Sequence, residues 1–372
     1  MTADVLDRRT LNRATLARQL LLERSTLRPL DAVTHLVGLQ AQEPLNPYHA
    51  LWSRLDGFQA DDLSQSMLER RVVRIVAMRG TIHLVTADDC LVLRSVAQPV
   101  LDAELKRHRD YGPPLRGVNL DPVLHFARQA LAEQPLTNTE LRAAMTDKFH
   151  ELDAAALAYA CRCKLGLVQV PPRGVWGRRG QVKVTTVEAW LGRSLARDPP
   201  IDDVVMRYFT AFGPAAVADV ATWSRLTGLR EVVDRLRPRL RPFCDERGRE
   251  LFDVQDAARP GADTPAPPRF LPEYDNLLLS HDDRSRFFPA DDRVRARLFG
   301  ADRRVSGSVL HDGFVCGTWR MDRDRDATAM VVDHAGRLNQ RARSAVAAEG
   351  RRLLRFLAPQ AGAHDVRLVA LT

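Results

Sequence analysis

Lysine is nearly missing from this chain. Among its 55 lysines and arginines together, only Lys106, Lys148, Lys164 and Lys183 are lysines. Schiff-base chemistry, which needs an amine of usable pKa, therefore has few candidates. Cysteine is also sparse: Cys90, Cys161, Cys163, Cys244 and Cys316 are too few for a disulfide framework in 372 residues. Cys161 and Cys163 fall in a helical pattern, where residues two apart face different directions, and no second Cys/His pair stands at zinc spacing. No run of about 18 uncharged apolar residues occurs, and the first residues lack the apolar stretch of a signal peptide. A soluble protein of a reducing, cytoplasmic compartment is expected. Walker loops, Gly-x-Gly-x-x-Gly and Gly-x-Ser-x-Gly are missing too, which removes support for nucleotide-binding and serine-hydrolase readings.

What is present suits a folded chain of two to four domains, with 45% hydrophobic and 27% charged residues. The formal charge is +8 and the sequence pI about 9.6, nearly all of the basic charge being arginine. Two readings of that composition stand side by side: GC-rich codon usage, or a polyanionic partner such as nucleic acid.

Three stretches repeat one order of elements, two or three helices followed by a short hairpin. In the first, helices are expected at Leu11–Leu22, Leu30–Gln40 and Asp61–Glu69, then strands at Val72–Met78 and Thr81–Val85. The second opens at Asp121-Pro122, a cap followed by a first-turn proline. It continues with helices at Asn138–Phe149 and Asp153–Leu165 and strands at Leu167–Val170 and Gln181–Val184, joined by the basic loop Pro171–Gly180. The third has helices at Ile201–Phe212, Ala215–Ser224 and Leu229–Leu236, with strands at Arg241–Phe243 and Glu250–Val254. This order is that of a winged helix-turn-helix. Ala257–Pro268 reads as a linker or long connection. Beyond it come strands at Tyr274–Leu279, Val305–Leu310, Phe314–Arg320 and Thr328–Val332, a helix at Gly336–Leu357 and a last strand at Asp365–Leu371. The expected fold class is α+β: winged-helix units at 1–118 (with a connecting segment), 119–198 and 199–256 around a concave basic surface, then a β-rich module with one helix at 257–372.

The pairs His281-Asp282, His311-Asp312 and His364-Asp365 invite a metal reading, but none has helical His-x-x-x-His spacing, and turn or capping roles fit them better. No metal and no cofactor are expected. Glu273, Asp275, Asp282 and Asp283, beside Arg284 and Arg286, read as surface charge pairing, with a catalytic carboxylate as the alternative. The most informative stretch is Gly38–Pro44. Gln40 and Gln42 close the second helix and enter a loop broken by Pro44 and Pro47. In extended backbone, residues two apart project to one side, and paired amides hold a water in a fixed orientation.

Leu11-Asn-Arg-Ala14, Val37-Gly-Leu-Gln-Ala-Gln-Glu-Pro-Leu45, Met78-Arg-Gly-Thr-Ile-His-Leu-Val85, Phe270–Arg284 and Val309–Arg320 resemble, in order, motifs of the winged-helix DNA glycosylases of the AlkZ/YcaQ type. The resemblance covers nearly the whole chain and is closest to the AlkZ branch. That branch carries Gln-x-Gln where the YcaQ-like branch carries Gln-x-Asp. It implies three tandem winged helices and catalytic roles for Gln40 and Gln42. It also implies a monofunctional glycosylase acting on alkylated purines such as N7-alkylguanine, including azinomycin-type interstrand crosslinks. The expected partner is double-stranded DNA, bound by a monomer associated with the nucleoid. Arg79, Arg173, Arg178, Arg179, His311, Asp312 and Arg320 are the candidate DNA-binding residues. The hairpin that enters the DNA cleft in this family maps to Val309–Arg320, with the loop Arg173–Arg179 as its rival. A winged-helix transcription regulator is the competing reading; the chain has no heptad run for the dimerisation such proteins use.

Overall fold

The computed structural model describes residues 4–288, 292–299, 305–323, 328–336 and 338–371. Helices and three β-sheets alternate along the chain, which makes the fold α+β.

The first two hairpins merge into one six-stranded sheet. Its order is Leu39–Gln40, Ile82–Thr86, Val72–Val76, Leu167–Gln169, Lys183–Thr186 and Leu136–Thr137. Val72–Val76 lies inside this sheet and is buried along its whole length, as the unbroken run Val-Val-Arg-Ile-Val requires. The arginine in that run, Arg74, extends to the Ala41 carbonyl at 2.8 Å. A three-stranded sheet joins Asp4–Leu6, in parallel, to the hairpin Leu240–Asp245 and Glu250–Val254. A five-stranded sheet runs Arg269–Leu271, Gly307–His311, Phe314–Arg323, Thr328–His334 and His364–Ala370, with the helix Gln340–Leu357 packed on it.

The first helix, Arg8–Arg18, ties the chain's distant parts together. Arg18 forms a bidentate pair with Asp253 at 2.5 and 2.7 Å, both side chains buried. The Asn12 amide donates to the carbonyls of Arg286 and Gly313, each at 2.8 Å. Arg9 and Arg13 donate to the carbonyls of Ala262 and Thr264. The segment 257–268, expected to be a linker or long connection, is thus laid down along this helix.

Several expected elements differ. The helix predicted over Leu30–Gln40 spans only Pro29–His35. It ends where Val37 and Gly38 take φ of 55° and 85°, with Gly38 N–H donating to Val33 O and Val37 N–H to Thr34 O, a Schellman stop. Glycine is needed at 38, because a Cβ there would lie 2.7 Å from Val85 Cγ1. Gln40 therefore belongs to a strand, not to a helix end. The loop expected around Pro47 is the helix Asn46–Arg54, with that proline in its first turn. Tyr274–Leu279, read as a strand, is the short helix Asn276–Leu279 capped by Asp275. Ala87–Val96 and Gln98–Arg107 are two further helices. The expected strand Val305–Leu310 is shorter, Gly307–His311.

Candidate functional site

Gln40 sits on the edge strand of the six-stranded sheet, opposite His83. Three interactions fix this short strand. Asn276 Nδ2 donates to Gly38 O at 2.8 Å, Ala41 N–H donates to Ile82 O at 2.8 Å, and Arg74 holds Ala41 O. The strand is thus gripped on one side by its own hairpin and on the other by the Phe270–Arg284 stretch, two motifs far apart in sequence.

The Gln40 side chain is buried, with 7% of the residue exposed. Its Oε1 accepts from Arg79 Nη2 at 2.7 Å. The same nitrogen lies 3.3 Å from His83 Nε2, and Arg79 Nη1 donates to the Trp223 carbonyl at 3.0 Å. His83 Nδ1 is 3.0 Å from the Thr81 carbonyl, which can only accept. The imidazole is therefore the Nδ1–H tautomer, and Nε2 offers a lone pair to Arg79. Burial, then the positive charge of Arg79, pushes the His83 pKa down to about 3, so the ring is neutral. Burial likewise pushes the Arg79 guanidinium down to about 9, reinforced by the cations Arg225 and Arg284.

Gln42 differs from Gln40. It lies in the bend between the strand and the helix Asn46–Arg54, and its side chain is exposed. The two glutamines are close along the chain but occupy different environments, one locked and one open to solvent.

The other candidates scatter. Arg79, expected on a DNA-facing hairpin tip, is buried with Gln40. The loop Pro171–Gly180 is folded down rather than projecting freely. Tyr48 donates to Gly174 O at 2.8 Å, Val175 is in the core, and the Trp176 ring packs on Phe356 at 4.9 Å. Arg173 is half-buried there, while Arg178 and Arg179 are exposed. The tip of the hairpin Val309–Arg320 rests on the first helix. Asp312 is paired with Arg9 at 2.7 Å and Arg13 at 2.5 Å. His311 and Asp312 line a cavity of about 1060 Å³ together with Pro260 and Thr264–Pro268. Arg320 is exposed and pairs with Asp333 at 2.5 Å. The carboxylates expected as surface pairs are partly interior: Asp275 makes a buried bidentate pair with Arg54 at 2.8 and 2.9 Å. Among the described residues no group of three or more His, Cys, Asp or Glu side chains could hold a metal ion. None of their helices is long and apolar enough to cross a membrane.

His83 and Asn276 did not emerge from sequence reasoning as site residues, although both lie in motifs quoted above. Strand register sets His83 opposite Gln40, and tertiary packing brings Asn276 to Gly38; spacing along the chain signals neither.

No curated protein matches the chain by sequence. Among solved structures, the Streptomyces sahachiroi DNA glycosylase AlkZ has a similar fold, with a TM-score of 0.77 over 99% of this chain and 100% of that one, at 20% identity. A family model described as DNA glycosylase AlkZ-like matches residues 33–356, and the chain belongs to that AlkZ-like DNA glycosylase family.

Proposed function

We propose that this protein is a monofunctional DNA glycosylase that hydrolyses the N-glycosidic bond of alkylated purines, N7-alkylguanine foremost, with Gln40 and Gln42 as its catalytic residues. The observation that carries this reading is the asymmetry of the two amides. Gln40 Oε1 is committed to Arg79, which leaves Nε2 as its principal free function, a donor. Gln42 is exposed, and its amide oxygen can serve as an acceptor. A donor and an acceptor at the two ends of one water fix its orientation.

An N7-alkylguanine carries a positive charge on the base, so it leaves without a strong general acid. The water oxygen bonds to C1′ as the C1′–N9 bond breaks. The bonding pair passes to the base and neutralises it, and the water proton, held by Gln42 Oε1, passes to solvent. Positioning and electrostatics carry most of such a reaction. Arginines on the DNA-facing surface bind phosphates, and the anionic backbone stabilises the cationic sugar. Three tandem winged-helix units with the boundaries given above form the concave surface in this reading.

A guanine tethered to the opposite strand cannot flip freely into a closed pocket. An exposed Gln42 suits an unflipped lesion, and we include azinomycin-type crosslinks among the substrates. The test is incubation of the purified monomer with N7-methylguanine duplex and with azinomycin-crosslinked duplex, without metal or cofactor, scoring abasic sites. Abasic product from either supports a glycosylase, and product from the second supports unhooking. No product from both, with intact binding to undamaged duplex, would favour a regulator.

A further inference from the structure

Arg79 is one of several arginines buried among the described residues. It sits at the tip of the hairpin with φ of 59°, a left-handed conformation that side-chain-bearing residues seldom adopt. Neighbouring elements hold it there. Arg162 Nη2 donates to the Gly80 carbonyl at 3.0 Å, and Arg162 is itself paired with Glu104 at 3.1 Å. The hydrogen-bond acceptors around its guanidinium are neutral: an amide oxygen, an imidazole nitrogen and a backbone carbonyl. The charges bearing on it are the cations Arg225 and Arg284. Some buried guanidiniums of this chain pair with a carboxylate, as Arg54 does with Asp275, and others, such as Arg74 and Arg94, rest on carbonyl and amide oxygens. Here one is kept on neutral partners beside Gln40.

We infer that Arg79 is the positioning residue for Gln40, setting which end of its amide is free. A guanidinium has five N–H donors and no acceptor, so only Oε1 can face it. Turning the Gln40 amide over would set N–H against N–H, lose the 2.7 Å bond and leave Arg79 one acceptor short. Both hydrogens of Nη2 are used, one on Gln40 and one on His83, which leaves the guanidinium little freedom to swing away. A carboxylate on Arg79 would drain this polarisation. Neutral acceptors leave the charge to act on the Gln40 carbonyl, which strengthens Nε2–H as a donor. Arg79 thus acts on the reaction through Gln40 rather than through a phosphate, and this inference rests on the glycosylase reading above.

The experiment is single-turnover excision of N7-methylguanine by four proteins: the natural chain, Arg79→Met, Gln40→Ala and the double variant. Arg79→Met should slow the bound-state rate about tenfold or more with duplex affinity within about twofold, and the double variant should be no slower than Gln40→Ala alone. Losses that multiply in the double variant would overturn the inference while leaving the glycosylase reading intact. An Arg79→Met protein that binds duplex weakly but excises at full rate once bound would make Arg79 a phosphate contact and would also overturn it. If Gln40→Ala excises at the natural rate, this inference and the role proposed for Gln40 fall together. Should Arg79→Met not fold, Arg79→Lys, which keeps a cation but gathers its N–H donors on a single nitrogen, decides by the same comparison. It should be slowed less than Arg79→Met is expected to be, and have no effect in the Gln40→Ala background.

Discussion

Asn276 and Gly38, 238 residues apart in sequence, are joined by a 2.8 Å hydrogen bond from the Asn276 amide to the Gly38 carbonyl. The bond falls two residues before Gln40, where the chain leaves its left-handed turn at Val37 and Gly38 and enters the strand. It fixes the entry angle of the Gln40–Gln42 segment. Asn276 is buried, so the carbonyl loses a protein partner when the amide is removed and gains no ready access to water.

Asn276→Leu should therefore destabilise the fold by about 1–3 kcal/mol, the cost of a buried carbonyl left unsatisfied. It should also slow excision by more than the stability change accounts for. Urea unfolding and single-turnover kinetics on the same preparation check both. An Asn276→Leu protein as stable and as fast as the natural chain would mean that the strand holds its own position.

Acid stability carries a second expectation. His83 and His281 are buried and pushed down to about 3, chiefly by burial, whereas an unfolded histidine titrates near 6.5. Between those values the unfolded chain binds the extra protons, so stability is full above the unfolded pKa and falls as pH drops below it. Each ring contributes a slope of up to about 1.4 kcal/mol per pH unit. Asp283 and Asp312, held below the usual carboxylate range by hydrogen bonds and neighbouring arginines, act only at lower pH. Urea midpoints should fall from pH 7 to pH 5, and His83→Gln should remove about a quarter to a third of that dependence, because burial also pushes His49 down to about 4 and lowers His334. A midpoint flat over that interval would mean that neither ring is held neutral.

Salt dependence separates codon usage from function in the arginine content. Arg178 and Arg179 are exposed on the loop Pro171–Gly180. Duplex affinity should fall linearly in log salt, and Arg178→Ala should reduce that slope by about one unit. An unchanged slope would remove Arg178 from the DNA contact set.

Strand cleavage should not accompany base loss. Lys164 is paired with Asp102 at 2.8 Å and Lys183 with Glu140 at 3.6 Å, so two of the four lysines already have carboxylate partners. Excised duplex should break only after heat or alkali, and borohydride should trap no protein–DNA adduct. A trapped adduct that disappears on replacing one lysine would replace the water mechanism with a Schiff base.

Local patterns that determine their own structure were legible in the sequence. The Val72–Val76 run, the helix that starts at Asn138 and the helix Ile201–Phe212 all lie where the pattern places them. Proline misled at Pro47, since a proline that ends one element also starts a helix at its first turn. The apolar run at Tyr274–Leu279 suits a strand, but Asp275 caps Leu277 N–H and winds it into a helix turn. At the site, the spacing of Gln40 and Gln42 marked them as paired amides, and the resemblance gave them catalytic roles. The bond from Arg79 to Gln40 depends on two strands pairing across 39 residues, and no spacing rule encodes that.

The central claim is that an exposed amide at position 42 and a fixed amide at position 40 together hold the attacking water. Its most direct test is single-turnover excision of N7-methylguanine by Gln42→Ala, with duplex binding measured alongside. The account predicts a rate lower by one or more orders of magnitude, roughly the scale of lost positioning, with affinity changed less than about threefold. A Gln42→Ala protein that excises at the natural rate would contradict it.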